Sequence, residues 1–151
     1  MNAVTVVRST VKTMPMILLA DDNSATRSAL KLMFSTRLGL NDIQEVTDWN
    51  DLLAIIAQQA SLSSPAGESR VNPSEQRTTV ILLDWELPGL PAHESLAYLQ
   101  TLLPSCKIIA LSARLEARRE ALQAGANAFI AKSDPPERVI EIICGLVENH
   151  S

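Results

Sequence analysis

Apolar positions along this chain follow two alternating rhythms. Residues 16–20 (MILLA), 79–84 (TVILLD) and 107–113 (KIIALSA) are short, nearly unbroken runs of Leu, Ile, Val and Ala, the pattern of strands buried on both faces. Residues 42–46 (DIQEV) alternate apolar with polar, as a half-buried or edge strand does, and residues 127–132 (NAFIAK) form a fifth short strand. The stretches between them carry the three- and four-residue spacing of helices. From Ser24, the recurrence of Ala25, Leu30, Met33, Phe34 and Leu38 predicts a helix stopped by Gly39. A second helix covers 48–60 with Asp48 as N-cap. A third covers 92–103, with Pro91 beside its start and Pro104 closing it, and a fourth covers 114–125. The last is announced by Asp134 as N-cap, Pro135 at the first helical position and Glu137 at capping-box spacing.

Five strands alternating with five helices call for an α/β fold, a parallel sheet doubly wound with helices on both faces. The 151 residues suffice for one domain, expected over 16–151, that buries roughly 70% of its unfolded surface. Residues 1–15 lack a continuous apolar core and a cleavage site and read as a frayed tail. Residues 61–78 (SLSSPAGESRVNPSEQRT) are rich in Ser, Pro, Gly and charge and read as a mobile loop. That is long for a compact domain, so it is an insertion or a functional loop.

Composition narrows the function classes. Hydrophobic residues at 46% and charged residues at 20% exclude general disorder, and aromatics at 3% leave an aliphatic core. A net charge of −4 gives no electrostatic reason for direct nucleic-acid contact. No apolar run approaches the roughly 20 residues of a membrane span. Cys106 and Cys144 are too few for a disulfide framework or zinc site and read as reduced thiols of a cytoplasmic protein.

In open α/β sheets, ligands lie outside the carboxyl ends of the strands. Those ends carry Asp21 and Asp22 after the first strand, Asp84 after the third, Ser112 at the fourth and Lys132 at the fifth. Three carboxylates in one crevice repel each other unless a cation neutralises them, and hard oxygen ligands at an open site suit Mg²⁺. A lysine and a hydroxyl opposite suit the oxygens of a phosphoryl group. Each residue alone has a plainer role. Asp22 suits an N-cap, Asp84 a turn before Pro88-Gly89, Ser112 a cap for the helix near Arg114, and Lys132 a solvated lysine. The joint pattern favours one site, because four of the five strands end in the residues one reaction needs. His93 and His150 read as solvated, residues 114–120 (RLEARRE) as an exposed helix face, and Trp49 as packing at a helix start.

Four segments in order, LADDN (19–23), LLDWELPG (82–89), ALSA (110–113) and AGANAFIAKS (124–133), carry a resemblance. From Met16 to near Val147 the chain resembles the receiver domain of bacterial two-component response regulators. The resemblance implies a flavodoxin-like five-stranded sheet of order 2-1-3-4-5. It makes Asp84 the phosphoacceptor, supplied by a sensor histidine kinase or phosphotransfer protein. It assigns Mg²⁺ to Asp22, Asp84 and the backbone carbonyl of Glu86, with Asp21 acting through water, and the phosphoryl oxygens to Ser112 and Lys132. Phe129 matches the aromatic that swings inward on activation, and Glu86 with Arg114 matches the pair that tunes the phosphorylated lifetime. Residues 114–145 match the usual dimer or output face. The implied chemistry is confined to the chain's own phosphorylation and dephosphorylation.

The departures from the family pattern are local. Ser133 stands where the family has proline after the lysine with a cis bond. A cis Lys132–Ser133 bond costs about 2.5–4 kcal/mol, so the bond is trans or the site stores strain. Pro91-Ala92 replaces a common Asp-Gly, and the 61–78 loop is longer than the family's. Two other functions compete. A haloacid-dehalogenase-type phosphatase shares the aspartate, Mg²⁺ and lysine but needs its nucleophile in a D-x-D pair, which adjacent Asp21-Asp22 does not match. A pseudo-receiver would bind a partner without phosphorylation, against the complete acid set.

Overall fold

The computed structural model describes residues 15–62, 78–89 and 94–148. Among these residues, five strands alternate with five helices. The strands are β1 (Met16–Ala20), β2 (Ile43–Val46), β3 (Thr79–Asp84), β4 (Lys107–Ser112) and β5 (Ala128–Ala131). The helices are α1 (Ser24–Met33), α2 (Trp49–Leu62), α3 (Glu94–Leu102), α4 (Ala117–Ala124) and α5 (Pro136–Glu148). All strands are parallel, in the order β2-β1-β3-β4-β5, the order the resemblance implies.

The two-residue period of the strands divides the core. Ile17, Leu19, Val80, Leu82, Ile109 and Ile130 point to one face, where Phe34, Val139 and Ile143 cover them from the α1 and α5 side. Leu18, Ile81, Leu83, Ile108, Ala110 and Phe129 point to the other, under Leu52 and Ile56 of α2, Leu96 and Leu99 of α3, and Ala117 and Ala121 of α4. Each fully buried Leu or Ile contributes roughly 1.5–3 kcal/mol, so the central strands anchor whatever their ends carry. The strand order reverses at β1, which places the topological switch point at the carboxyl ends of β1 and β3.

Several helix ends differ from the sequence expectation, each for a local reason. The helix from Ser24 does run to Gly39, but its last turn, Phe34–Leu38, is a π turn. Gly39 closes it at φ 69°, its N–H bonding Phe34 O five residues back. Asp48 Oδ1 accepts the Asp51 N–H at 2.8 Å, the expected cap of α2. That helix continues to Leu62, so residues 61 and 62 of the expected loop are helical. Residues 63–77 of that loop, the 1–14 part of the tail, Pro91-Ala92, His93 and His150 lie outside the described residues.

The start of α4 is Ala117, not Arg114, because Ser112 Oγ accepts the Arg114 N–H at 3.0 Å and a turn intervenes before the helix. Asp134 does not cap α5. Its Oδ2 accepts the Ala131 N–H of the edge strand β5 at 3.0 Å, and the helix begins one residue later than expected, at Pro136. No cis peptide occurs among the described residues, so the Lys132–Ser133 bond is trans. No helix of the described residues is long and apolar enough to cross a membrane.

Candidate functional site

β1 and β3 deliver their terminal acids side by side. The register pairs Ala20 with Leu83, which brings Asp21 next to Asp84 at the switch point. Asp21 is 1% exposed and Asp84 3%. Carboxylate oxygens of Asp21, Asp22 and Asp84 all lie within 4.8 Å of one another. Asp22 is exposed and is not spent on capping, because Asn23 Oδ1 accepts the Thr26 N–H at 2.9 Å and caps α1 instead. Asp84 does form a turn, its Oδ1 accepting the Glu86 N–H at 3.0 Å. The turn role and the site role therefore coexist in one side chain.

Lys132 reaches this cluster from β5. Its Nζ lies 2.9 Å from Asp21 Oδ2 and 3.6 Å from Asp84 Oδ1. The contact with Asp21 is ionic: this buried Oδ2 has no hydrogen-bond partner of good geometry. Burial pushes the Asp84 carboxyl up to about 6, and the neighbouring Asp21 charge adds to the rise against the pull of the Glu86 N–H. Burial also works against the Lys132 ammonium, but the Asp21 and Asp84 contacts outweigh it and hold the lysine above its ordinary value.

Ser112, fully buried at the end of β4, faces a different partner. Its Oγ lies 3.1 Å from both carboxylate oxygens of Glu86. Arg114 donates to Glu86 Oε2 from Nε at 3.2 Å and Nη2 at 3.0 Å. Glu86 and Arg114 thus meet across the two loops, with Ser112 as a third member. Phe129 is 5% exposed and already inside the core.

Two supports were not visible in the sequence. Arg27, one turn into α1, donates from Nη1 to the Asp21 backbone carbonyl at 2.8 Å and from Nε to Glu45 at 2.7 Å. It ties the acidic loop to α1 and to the edge strand β2. Nothing distinguishes it in sequence from any other helix-surface arginine. Gly89, at φ 82°, brings the loop after β3 against Trp49, whose N–H donates to Pro88 O at 3.0 Å. Trp49 is buried at the start of α2, the expected packing role.

Folding thus brings the acids at the ends of β1 and β3 and the lysine at the end of β5 into one cluster. The family model described as "Response regulator receiver domain" matches residues 17–144. The chain belongs to this family. The receiver is similar in fold to the CheY-like response regulator receiver domain protein of Methanospirillum hungatei, with a TM-score of 0.68 at 24% identity over 91% of this chain and 97% of that one. It is also similar to DrrB of Thermotoga maritima, an OmpR/PhoB homolog, with a TM-score of 0.64 at 17% identity over 92% of this chain and 55% of DrrB. Among curated proteins, 79 residues of the receiver are 29% identical to the transcriptional activator protein ExaE of Pseudomonas putida. That match covers 51% of this chain and 37% of ExaE, so the receiver spans a little over a third of that relative.

Proposed function

We propose that this receiver is the phosphoacceptor of a two-component relay, taking a phosphoryl group on Asp84 from a phosphohistidine of a sensor kinase or phosphotransfer protein. The observation that carries this reading is the packing of three carboxylates within 4.8 Å of one another beside a lysine that touches two of them.

The donor set suits Mg²⁺. It is all oxygen, and the buried Asp21 Oδ2 has the Lys132 ammonium at 2.9 Å but no hydrogen bond of good geometry. Asp22, Asp84 and the Glu86 carbonyl would hold the ion, with Asp21 acting through water. Bound there, it would offset the carboxylate charge and that of the phosphoryl oxygens. In the transfer, an Asp84 oxygen bonds to phosphorus as the P–N bond to the donor imidazole breaks. The electron pair leaves with that nitrogen, which takes a proton from solvent. Lys132 then meets the phosphoryl oxygens in place of its present carboxylate contacts. In dephosphorylation, water attacks phosphorus as its bond to the Asp84 oxygen breaks, so that inorganic phosphate leaves and the Asp84 carboxylate is regenerated. Glu86 and Arg114, flanking the site, tune how long the phosphorylated form lasts.

The conversion is read out by the surface of α4, β5 and α5 over residues 114–145, which would contact a second copy, a partner or an output domain. Phe129 is already buried here, so Ser112 and the β4–α4 turn carry the change to that surface. The reading places the protein in the cytoplasm, with its chemistry confined to its own aspartate.

Acetyl phosphate with Mg²⁺ tests it. Intact mass should rise by one phosphoryl group, removable with hydroxylamine and lost in Asp84→Asn. An unmodified mass, or the same adduct in the variant, overturns the reading.

A further inference from the structure

Ser112 has one hydroxyl proton, and in this structure Glu86 holds it. The Oγ is 3.1 Å from both Glu86 oxygens, and its lone pair is engaged by the Arg114 N–H at 3.0 Å. Ser112 is fully buried, so no solvent competes for that proton. Glu86 is fixed in place by the Arg114 guanidinium through two contacts of 3.0 and 3.2 Å. The ring closes between loops 26 and 28 residues apart in sequence, and the Trp85 N–H to Leu111 O bond of 2.7 Å pins the same two loops beside it.

The geometry points to Glu86 as a gate. Its side-chain carboxylate competes with an incoming phosphoryl group for the Ser112 hydroxyl, and Arg114 braces the closed state. This rests on Asp84 being the phosphoacceptor and goes beyond it by naming what holds the unphosphorylated state in place. A charged acceptor bonded to a buried hydroxyl is a strong contact. Any group on Asp84 that recruits Ser112 must first break it. The two states then differ by a specific exchange of one hydrogen bond, which is the differential contact a two-state switch requires. Glu86 acts through Ser112 and is a positioning residue; its backbone carbonyl is unaffected by changing its side chain.

The test is a double-mutant cycle read by beryllofluoride, a phosphoryl mimic that is not hydrolysed, titrated with Mg²⁺ into the full chain. Glu86→Ala should bind it about ten-fold more tightly than wild type, the factor expected for relieving one charge-assisted hydrogen bond. In the Ser112→Ala background, the same substitution should change affinity by less than about two-fold, because no hydroxyl remains to release. Arg114→Ala should give a smaller gain that likewise needs Ser112. Equal gains with and without Ser112 would make Glu86 merely a repelling charge and overturn the gate, as would no gain at all. The reading beneath fails differently: if acetyl phosphate does not modify Asp84 in wild type, the phosphoacceptor role falls and the gate with it.

Discussion

Replacing Asp84 by Asn should stabilise this protein in Mg²⁺-free buffer, although it removes the proposed reactive group. The Asp84 carboxyl rises from an ordinary 3.8 to about 6 in the folded chain, first through burial and then through the Asp21 charge. A folded-state value above the unfolded one means that folding takes up a proton between about pH 4 and 6. Stability from this group is therefore fully present below about pH 4 and is lost as pH rises through about 6. The difference corresponds to roughly 3 kcal/mol above pH 7. That figure is already net of the Lys132 contact at 3.6 Å, which works against the rise, so Asn, which escapes the cost, should gain roughly 3 kcal/mol. For a domain of this size, that raises Tm by roughly 5–10 °C. Thermal melts of wild type and Asp84→Asn from acid to neutral pH should show curves that coincide near pH 4 and diverge up to pH 7. Saturating Mg²⁺ should then narrow the gap, because the ion stabilises the wild-type cluster more. A gap that does not change with pH, or a variant that melts lower at pH 7, would refute the electrostatic account of the cluster.

Three further outcomes follow from the geometry. Trp85 adjoins Asp84 and is 8% exposed, so Mg²⁺ should change tryptophan fluorescence in wild type and in Trp49→Phe, while Trp85→Phe should lose the response. Phe129→Ala should cost about 3–5 kcal/mol in chemical denaturation yet leave acetyl phosphate labelling of Asp84 intact; a loss near zero would contradict its buried position. Gly89→Ala should cost about 1–3 kcal/mol, since the new Cβ would stand at φ 82° and 3.4 Å from Trp49 Cβ; unchanged stability would show that the loop after β3 is not held against α2.

The sheet was legible because its signal is local. Leu18, Ile81, Leu82 and Ile109 belong to continuous apolar runs that only a strand covered on both faces accommodates, and the strand-end acids and Lys132 follow from topology once those strands are placed. Helix starts were less legible, because a capping side chain has several possible partners. Asp134 before Pro135 reads as an N-cap, but the unpaired Ala131 N–H of edge strand β5 takes its carboxylate instead. Ser112 reads as a cap for a helix at Arg114, but Glu86, distant in sequence, holds its hydroxyl proton and Arg114 together, and α4 begins only at Ala117. The π turn at Phe34–Leu38 has no sequence pattern distinct from an ordinary last turn. Arg27 shows its role only when folding brings the Asp21 carbonyl and Glu45 to it.

The central claim is that Asp84 is the residue that becomes phosphorylated, and borohydride reduction tests it at the level of the residue. An aspartyl phosphate is reduced to homoserine, which peptide mass spectrometry locates. After treatment with acetyl phosphate and Mg²⁺, homoserine should be found at position 84 and absent when Mg²⁺ is omitted. Homoserine at position 21 or 22, or none anywhere, would contradict the account.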